Sequence, residues 1–145
     1  MKIVIATDHN GVKEKEIINN LKDNYEIIDK STHNTPIDDY PLYAFSVGEY
    51  VRDNEDSIGI LLCGTGIGMS IAANKVKGIR CAHVSHLTEA KLARMHNNAN
   101  IIAMSYKNDI NDILEWINAF ITTDFANEER HIRRVEQIKE YERRN

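Results

Sequence analysis

A run of glycines directly after a cysteine is the part of the sequence best suited to chemistry. The segment Cys63-Gly64-Thr65-Gly66-Ile67-Gly68-Met69-Ser70 holds three of the chain's seven glycines within five residues. Alternating glycines let the backbone approach a ligand closely and point several N–H groups at one place. A helix predicted to begin in this run adds the positive potential of its N-terminus. The segment fits an anion or a developing oxyanion, and a tight turn without a ligand is the alternative.

This glycine run differs from the common nucleotide-binding loops. The dinucleotide fingerprint places an acidic residue at a strand end about 20 residues further on, and none stands there. The run also lacks the GK[ST] ending of the phosphate loop of nucleoside triphosphatases. Neither of these two nucleotide sites is therefore predicted.

The thiol of Cys63 is a candidate functional group. A cysteine between the end of a strand and the N-terminus of a helix lies where the thiolate is stabilised, and it could act as nucleophile, redox group or general base. A buried inert cysteine is the alternative, and it fits Cys81, inside a predicted strand, better. Two cysteines without CxxC spacing form no disulfide framework, so we expect free thiols and a cytoplasmic protein.

A histidine and two arginines are further candidates. The pair His96-Asn97 ends a predicted helix, where a histidine either caps the C-terminus or acts as an acid–base group near neutral pH. Arg130 and Arg134, four residues apart, share one face of the last predicted helix and could bind a phosphate. The alternative is a solvated face on which the arginines pair with Glu128, Glu129 and Glu136. The residues alone leave both questions open.

Composition excludes several classes of protein. Lys and Arg total 18 against 22 Asp and Glu, and this net charge of −4 disfavours a duplex nucleic-acid binder. No apolar run approaches the ~20 residues of a membrane-spanning helix, so no membrane partner is expected. The six histidines lack HExxH spacing, so no metal site is expected. The length of 145 residues predicts a single domain, residues 1–145.

Short apolar runs alternate with helical patterns along the whole chain. Strands are predicted at Lys2–Thr7, Tyr25–Asp29, Ser57–Cys63, Ile79–Val84 and Asn100–Ala103. Helices are predicted at 11–22, 40–53, 66–76, 86–96, 109–121 and 127–143. Nearly continuous apolar strands between helices predict an α/β fold, a three-layer α/β/α domain with a parallel sheet. Ligands bind such sheets at the carboxyl ends of the strands.

The last predicted helix follows the last strand and needs a surface on which to pack. Its apolar residues Ile132, Val135 and Ile138 are expected to face inward, with Arg130 and Arg134 on the opposite side.

Several segments together resemble the B-type ribose-5-phosphate isomerase family, which also includes allose- and galactose-6-phosphate isomerases. They are Ala6-Thr7-Asp8-His9-Asn10-Gly11, Asp39-Tyr40-Pro41, Cys63-Gly64-Thr65-Gly66-Ile67-Gly68, Ile71-Ala72-Ala73-Asn74-Lys75, Gly78-Ile79-Arg80, His96-Asn97-Asn98-Ala99-Asn100 and Arg130-His131-Ile132-Arg133-Arg134-Val135-Glu136. The resemblance implies a metal-free, cofactor-free aldose–ketose isomerase of the pentose phosphate pathway, acting on D-ribose 5-phosphate and D-ribulose 5-phosphate. It also implies a Rossmann-like five-stranded sheet and a homodimer or tetramer whose sites lie between subunits, with the C-terminal helix packed on the neighbour.

The resemblance also implies roles for individual residues. Cys63 is implied as the base that moves a proton from C2 to C1 through a cis-enediolate. His96 with Asn97, from a neighbouring subunit, is implied to open the furanose ring. Thr65 and Asp8 would assist at the sugar hydroxyls.

Substrate-binding roles follow from the same resemblance. The anion site would be lined by Gly64, Gly66, Ile67, Gly68 and Ser70. The phosphate would be bound by His9, Arg130 and Arg134, while Tyr40 would line the sugar pocket. Lys107 stands where the family often places a phosphate-binding arginine, and it is a point charge without the bidentate fork.

One difference assigns the chain to a subgroup, and three alternatives stay open. Some members have a glutamate base where this chain has Met69, so the resemblance is to the cysteine-base subgroup. A hexose 6-phosphate isomerase is the nearest alternative. A non-catalytic phosphosugar-binding module on the same fold and a thiol redox protein that uses Cys63 and Cys81 are the others.

Overall fold

Strands and helices alternate along the chain as predicted. The structure is a computed structural model that describes residues 1–8, 13–31 and 39–145. Within these ranges the elements are β1 (Lys2–Thr7), α1 (Glu14–Leu21), β2 (Glu26–Asp29), α2 (Tyr40–Asp53), β3 (Ser57–Cys63), α3 (Ile67–Ala73), β4 (Cys81–His83), α4 (Leu87–Asn97), β5 (Ile101–Ser105), α5 (Ile110–Thr122) and α6 (Glu129–Arg143). Each predicted element is present, with ends that differ by a few residues.

The five strands form one parallel sheet in the order β2-β1-β3-β5-β4. The chain builds outward from β1 in one direction and then from β3 in the other, so the topological switch point lies between these two strands. In open α/β sheets the ligand crevice lies at the carboxyl ends of the strands at such a point. Asp8 follows β1 there, and the glycine run follows β3.

Helices cover both faces of the sheet, which explains the apolar strands. One buried cluster joins alternate residues of β1, such as Ile3 and Ile5, to α1, α4 and α5. The other joins Val4 and Ala6 to α2 and α3. Because successive side chains of a strand point to opposite faces, both sets must be apolar, and every residue of β3 is buried. The predicted three-layer α/β/α architecture and parallel sheet are confirmed.

Two side-chain amides set the ends of elements near the sheet edge. The Asn74 side chain exchanges hydrogen bonds with the backbone of Cys81, at 2.9 Å and 2.8 Å, which ties the end of α3 to β4. The backbone N–H of Arg80 donates to Oδ1 of Asn100 at 2.8 Å rather than to a strand. Consequently α3 and β4 are both shorter than their apolar patterns predicted.

The inward face of α6 is not the predicted one. Val135 is buried as expected, but its buried neighbour is His131, whereas Ile132 and Ile138 are 39% and 50% exposed. The prediction was wrong for these two isoleucines, because α6 packs on α4 along the 131/135 side of the helix. Among the helices that the structure describes, none is long and apolar enough to cross a membrane.

Candidate active site

The thiol of Cys63 is the buried end of β3, and the glycine run folds back over it. The N–H of Gly66 donates to Cys63 Sγ at 3.1 Å. The fold of the loop therefore directs a backbone N–H donor at this sulfur. Met69 is fully buried in the core cluster on the same face of the sheet. Of these two sulfur-containing side chains, the thiol of Cys63 has the chemistry of a base or nucleophile and the thioether of Met69 does not.

Gly66 must be a glycine for the loop to keep this shape. Its φ of 79° lies in the left-handed region, and a Cβ there would stand 2.7 Å from the backbone carbon of Met104. The next turn is held by Thr65, whose Oγ1 accepts from the N–H of Ile67 at 3.1 Å. His83 Nε2 lies 2.9 Å from the Thr65 carbonyl oxygen. These contacts fix the direction of the Gly66 N–H.

Free backbone amides and the Tyr40 ring border the same loop. In α3 the N–H of Ser70 makes the first helical hydrogen bond, to the Gly66 carbonyl at 3.1 Å, whereas the amides of Gly68 and Met69 come before this first donor. A Cβ on Gly68 would meet the Tyr40 ring at 2.5 Å, so that ring lies directly against the glycine. An anion at this turn would have N–H donors on one side and the Tyr40 ring beside them.

The end of β5 supplies residues that sequence reasoning missed. Ser105 Oγ donates to the Gly64 carbonyl at 2.7 Å, and the N–H of Tyr106 donates to the Cys63 carbonyl at 3.1 Å. The Tyr106 hydroxyl lies 3.9 Å from the position that a Cβ on Gly64 would take. Desolvation, followed by the charges of Asp8 and Cys63, raises the pKa of Tyr106, so the phenol stays a hydrogen-bond donor. The rule that ligands lie after strands could have indicated Tyr106.

Other candidates lie at the margin of this group or away from it. The N–H of Lys107 donates to Ser105 Oγ at 3.1 Å, and the lysine side chain is exposed. The Ser70 hydroxyl hydrogen-bonds with Cys81, on the edge strand. Burial raises the pKa of Cys81 to about 12, which fits the inert thiol expected there. His9 lies outside the described residues. Within those residues no group of three or more His, Cys, Asp or Glu could hold a metal ion.

A second group of candidates surrounds the end of α4. Asn98 ends this helix with a φ of 47°. The Arg80 guanidinium donates to the carbonyls of Asn97 at 3.1 Å and Asn98 at 2.9 Å, and Arg94 donates to Asn98 Oδ1 at 3.1 Å. These bonds use the free carbonyls at the helix C-terminus, and they fix the backbone that carries His96.

The first turns of α6 complete this second group. The rings of His96 and His131 are stacked, with centroids 4.3 Å apart and planes 12° apart. Arg130 pairs with Glu128 at 3.3 Å, as the solvated-face alternative proposed. Arg134 is exposed and forms no ion pair within the described residues. One of the two arginines is thus free for an anionic ligand.

The two groups lie at opposite ends of the strands, one at the carboxyl ends and one at the amino ends. Cys63 is paired in register with Ser105, the last residue of β5, whereas His96 precedes Ile101, the first residue of that strand. The length of β5, about 13 Å, therefore separates them along the sheet. Within one chain, His96, Asn97, Arg130 and Arg134 do not join the group around Cys63.

Comparison with known proteins gives full-length matches. Residues 3–138 match the model of the Ribose/Galactose Isomerase family. A Mycobacterium tuberculosis protein named ribose-5-phosphate isomerase B is 37% identical, with 99% of this chain and 91% of the relative covered. The structure of the type B ribose 5-phosphate isomerase of Trypanosoma cruzi superimposes with a TM-score of 0.94 at 37% identity, with both chains fully covered. The Mycoplasma genitalium ribose-5-phosphate isomerase B with bound ribulose-5-phosphate superimposes with a TM-score of 0.93 at 38% identity, covering 99% and 97%.

Alanine substitutions at two glycines of the loop should differ in their effect on stability, because a Cβ is excluded at one position and tolerated at the other. We expect Gly66→Ala to lower the free energy of unfolding by about 1–3 kcal/mol, because its Cβ would meet backbone at a positive φ. Gly64→Ala should change it by less than about 0.5 kcal/mol, since the nearest atom to its Cβ is 3.9 Å away. Urea unfolding measures both. Equal destabilisation by the two variants would contradict the loop geometry.

Proposed function

Because the chain belongs to the ribose/galactose isomerase family, we propose that it interconverts D-ribose 5-phosphate and D-ribulose 5-phosphate. The observation that carries this proposal is the Gly66 N–H donating to Cys63 Sγ at the switch point of the sheet. It supplies a base at the place where the fold binds ligands. The likeness to a structure that holds ribulose-5-phosphate supports the choice of substrate.

Cys63 acts as the base in the transfer of a proton between two carbons. In the open-chain aldose it removes the C2 proton, and the electrons of that bond form the C1–C2 double bond of a cis-enediolate. As that bond forms, the electrons of the C1 carbonyl move onto the C1 oxygen. Return of the proton to C1, with transfer of the proton on the C2 oxygen to the C1 oxygen, then gives the ketose. The Gly66 N–H, which points at the sulfur, is the backbone donor that supports this role of Cys63.

Backbone and phenolic donors stabilise the enediolate. The amides of the Gly64–Gly68 run line the anion site, and those of Gly68 and Met69 come before Ser70, whose N–H is the first donor of α3. The Tyr106 hydroxyl, which stays protonated, is a further donor beside Gly64. Fixed donors of this kind act on charge as it develops in the transition state.

The furanose ring is opened by His96 of a second copy of the chain, together with Asn97. Thr65 and Asp8 of the first copy assist at the sugar hydroxyls. An imidazole suits this step because its proton exchanges near neutral pH, and the ring oxygen must gain a proton as the anomeric hydroxyl loses one. The position of His96 at the opposite end of the strands of its own sheet supports a site built from two copies.

The phosphate of the substrate is bound by Arg130 and Arg134 of the second copy, with His9 and Lys107 as further cations. Arg134 supports this assignment, since it is exposed without an acidic partner in the described part of the chain. Binding of a dianionic phosphate would compete with Glu128 for Arg130, at an exposed ion pair that costs little to break.

The surface of the chain supports association of two copies. Ile67 and Ile71 of α3 and Ile138 and Tyr141 of α6 are all at least half exposed. A groove lined by Ile79 and Ala82 runs between the edge of β4 and the two residues of α6. Large apolar side chains next to an unpaired strand edge are typical of surfaces that another chain covers. This surface supports the proposed dimer. The proposed cytoplasmic location rests on the sequence, which has two cysteines without CxxC spacing.

Removal of the thiol tests the catalytic assignment. We expect Cys63→Ala to lower kcat for ribose 5-phosphate by about 10²–10⁴-fold, because the base is lost, while binding of substrate persists. Cys81→Ala is the matched control and should retain activity, since its thiol lies on the edge strand with a raised pKa. Ribulose 5-phosphate formation and calorimetric binding measure the two effects.

Three outcomes of this assay would contradict the proposal. A Cys63→Ala variant with near-normal turnover would remove the thiolate base. Activity lost on addition of a chelator would contradict a mechanism without metal. Faster turnover of allose 6-phosphate or galactose 6-phosphate would change the substrate to a hexose phosphate.

Neighbouring arginines on α6 provide a test of phosphate binding. Arg134→Ala should raise KM by about 10- to 100-fold with a smaller change in kcat, because a charge-assisted contact to phosphate is lost. Arg133→Ala is the matched control, since Arg133 is paired with Glu129 at 3.3 Å. Equal KM values for the two variants would return Arg134 to the solvated face.

Mixed dimers test the shared site. Cys63→Ala and His96→Asn should each be inactive alone, because each lacks one catalytic group. After mixing in equal amounts and exchange of subunits, about a quarter of all sites combine two native halves, so about a quarter of wild-type activity should return. A mixture that remains inactive after exchange, verified by mass spectrometry of the mixed dimer, would place both residues in one chain's site.

A further inference from the structure

A second histidine lies flat against His96, and the reaction steps above make no use of it. His131, in the first turn of α6, is 5% exposed, and its ring is stacked on that of His96 with centroids 4.3 Å apart. Its Nε2 is buried and has no hydrogen-bond partner within the described residues. Glu128 Oε2, at 3.8 Å from Nε2, is beyond hydrogen-bond distance. A buried imidazole with an unused nitrogen calls for an explanation.

Within the described residues, the groups that act on His131 include more basic than acidic side chains. They are His96 on α4, Arg130 and Arg134 on α6, and the single carboxylate of Glu128. Burial first, and then His96 and Arg130, lower the pKa of His131, while Glu128 opposes this in part. These influences favour the neutral form of the His131 imidazole.

We propose that His131 is a positioning residue for His96: its ring, held between α4 and α6, stacks on the His96 imidazole and fixes the plane of that imidazole. The proposal rests on the proposed function, in which His96 opens the sugar ring. It assigns His131 no contact with the substrate.

Two physical requirements of ring opening support this role. A general acid–base group must hold its nitrogen within hydrogen-bond distance of the reacting oxygen, and a flat stack removes the free rotation of the imidazole. A cation 4.3 Å below His96 would oppose the imidazolium that forms during the step, whereas a neutral ring does not. The buried site of His131 satisfies both requirements together.

Two substitutions of His131 separate stacking from simple packing. His131→Phe keeps a flat ring that never carries charge, so it should retain most of the wild-type kcat. His131→Leu keeps an apolar side chain but loses the ring, so kcat for ribose 5-phosphate should fall about 10- to 100-fold with KM within about 3-fold. NMR of the protein without substrate should show the ring-current shift of the His96 resonances kept in the Phe variant and lost in the Leu variant. Circular dichroism confirms folding of both at the assay temperature.

Each result decides between named possibilities. A Leu variant with wild-type kcat and unchanged His96 resonances would overturn the role of His131. A Phe variant with a kcat as low as that of the Leu variant would also overturn the proposal, because a stacked ring would then not suffice to position His96. Wild-type protein that does not convert ribose 5-phosphate would instead overturn the proposed function, and the NMR comparison would still report the stack.

Discussion

The arrangement of this molecule depends on the direction of its parallel strands. The carboxyl ends of all five strands lie on one side of the sheet, and each crossover helix returns the chain to the side where the strands begin. Residues that end or follow strands, such as Asp8, Cys63 and Tyr106, therefore lie together at the carboxyl ends of the strands. His96 is near the end of a helix and lies at the amino ends. The proposed catalytic group takes residues from both sets and therefore requires two chains, and the exposed apolar side chains of α3 and α6 are the surface proposed for that association.

Several polar residues in the segments that resemble the isomerase family form hydrogen bonds that stabilise the backbone between elements. Asn74 ties α3 to the edge strand, and Asn100 joins Arg80 to the start of β5. Arg80 and Arg94 close the carbonyl end of α4, where Asn98 takes a left-handed conformation. The contacts of Arg80 and Arg94 fix the backbone that directly follows His96. Side chains that take no part in the proposed reaction thus stabilise the helix end that carries His96.

Local patterns predicted the elements well and their packing less well. Helix α5 and strand β3 were predicted from the spacing of their apolar residues, which can be read from neighbouring positions in the chain. The ends of α3 and β4 depend on Asn74 and Asn100, whose partners lie elsewhere in the chain. The face of α6 was predicted wrongly for Ile132 and Ile138, because α6 packs against α4 through His131 and Val135.

The sequence by itself determined the order of strands and helices, the glycine run after a buried strand and the place of Cys63 at its start. Each of these is a local property, fixed by hydrophobic period and by residue type. Only the tertiary structure decided that Tyr106 stands beside Gly64, that Ser70 turns to Cys81 and that His131 stacks on His96. Such contacts join residues far apart in the chain, and they follow from strand order and helix packing, which hydrophobic period does not specify.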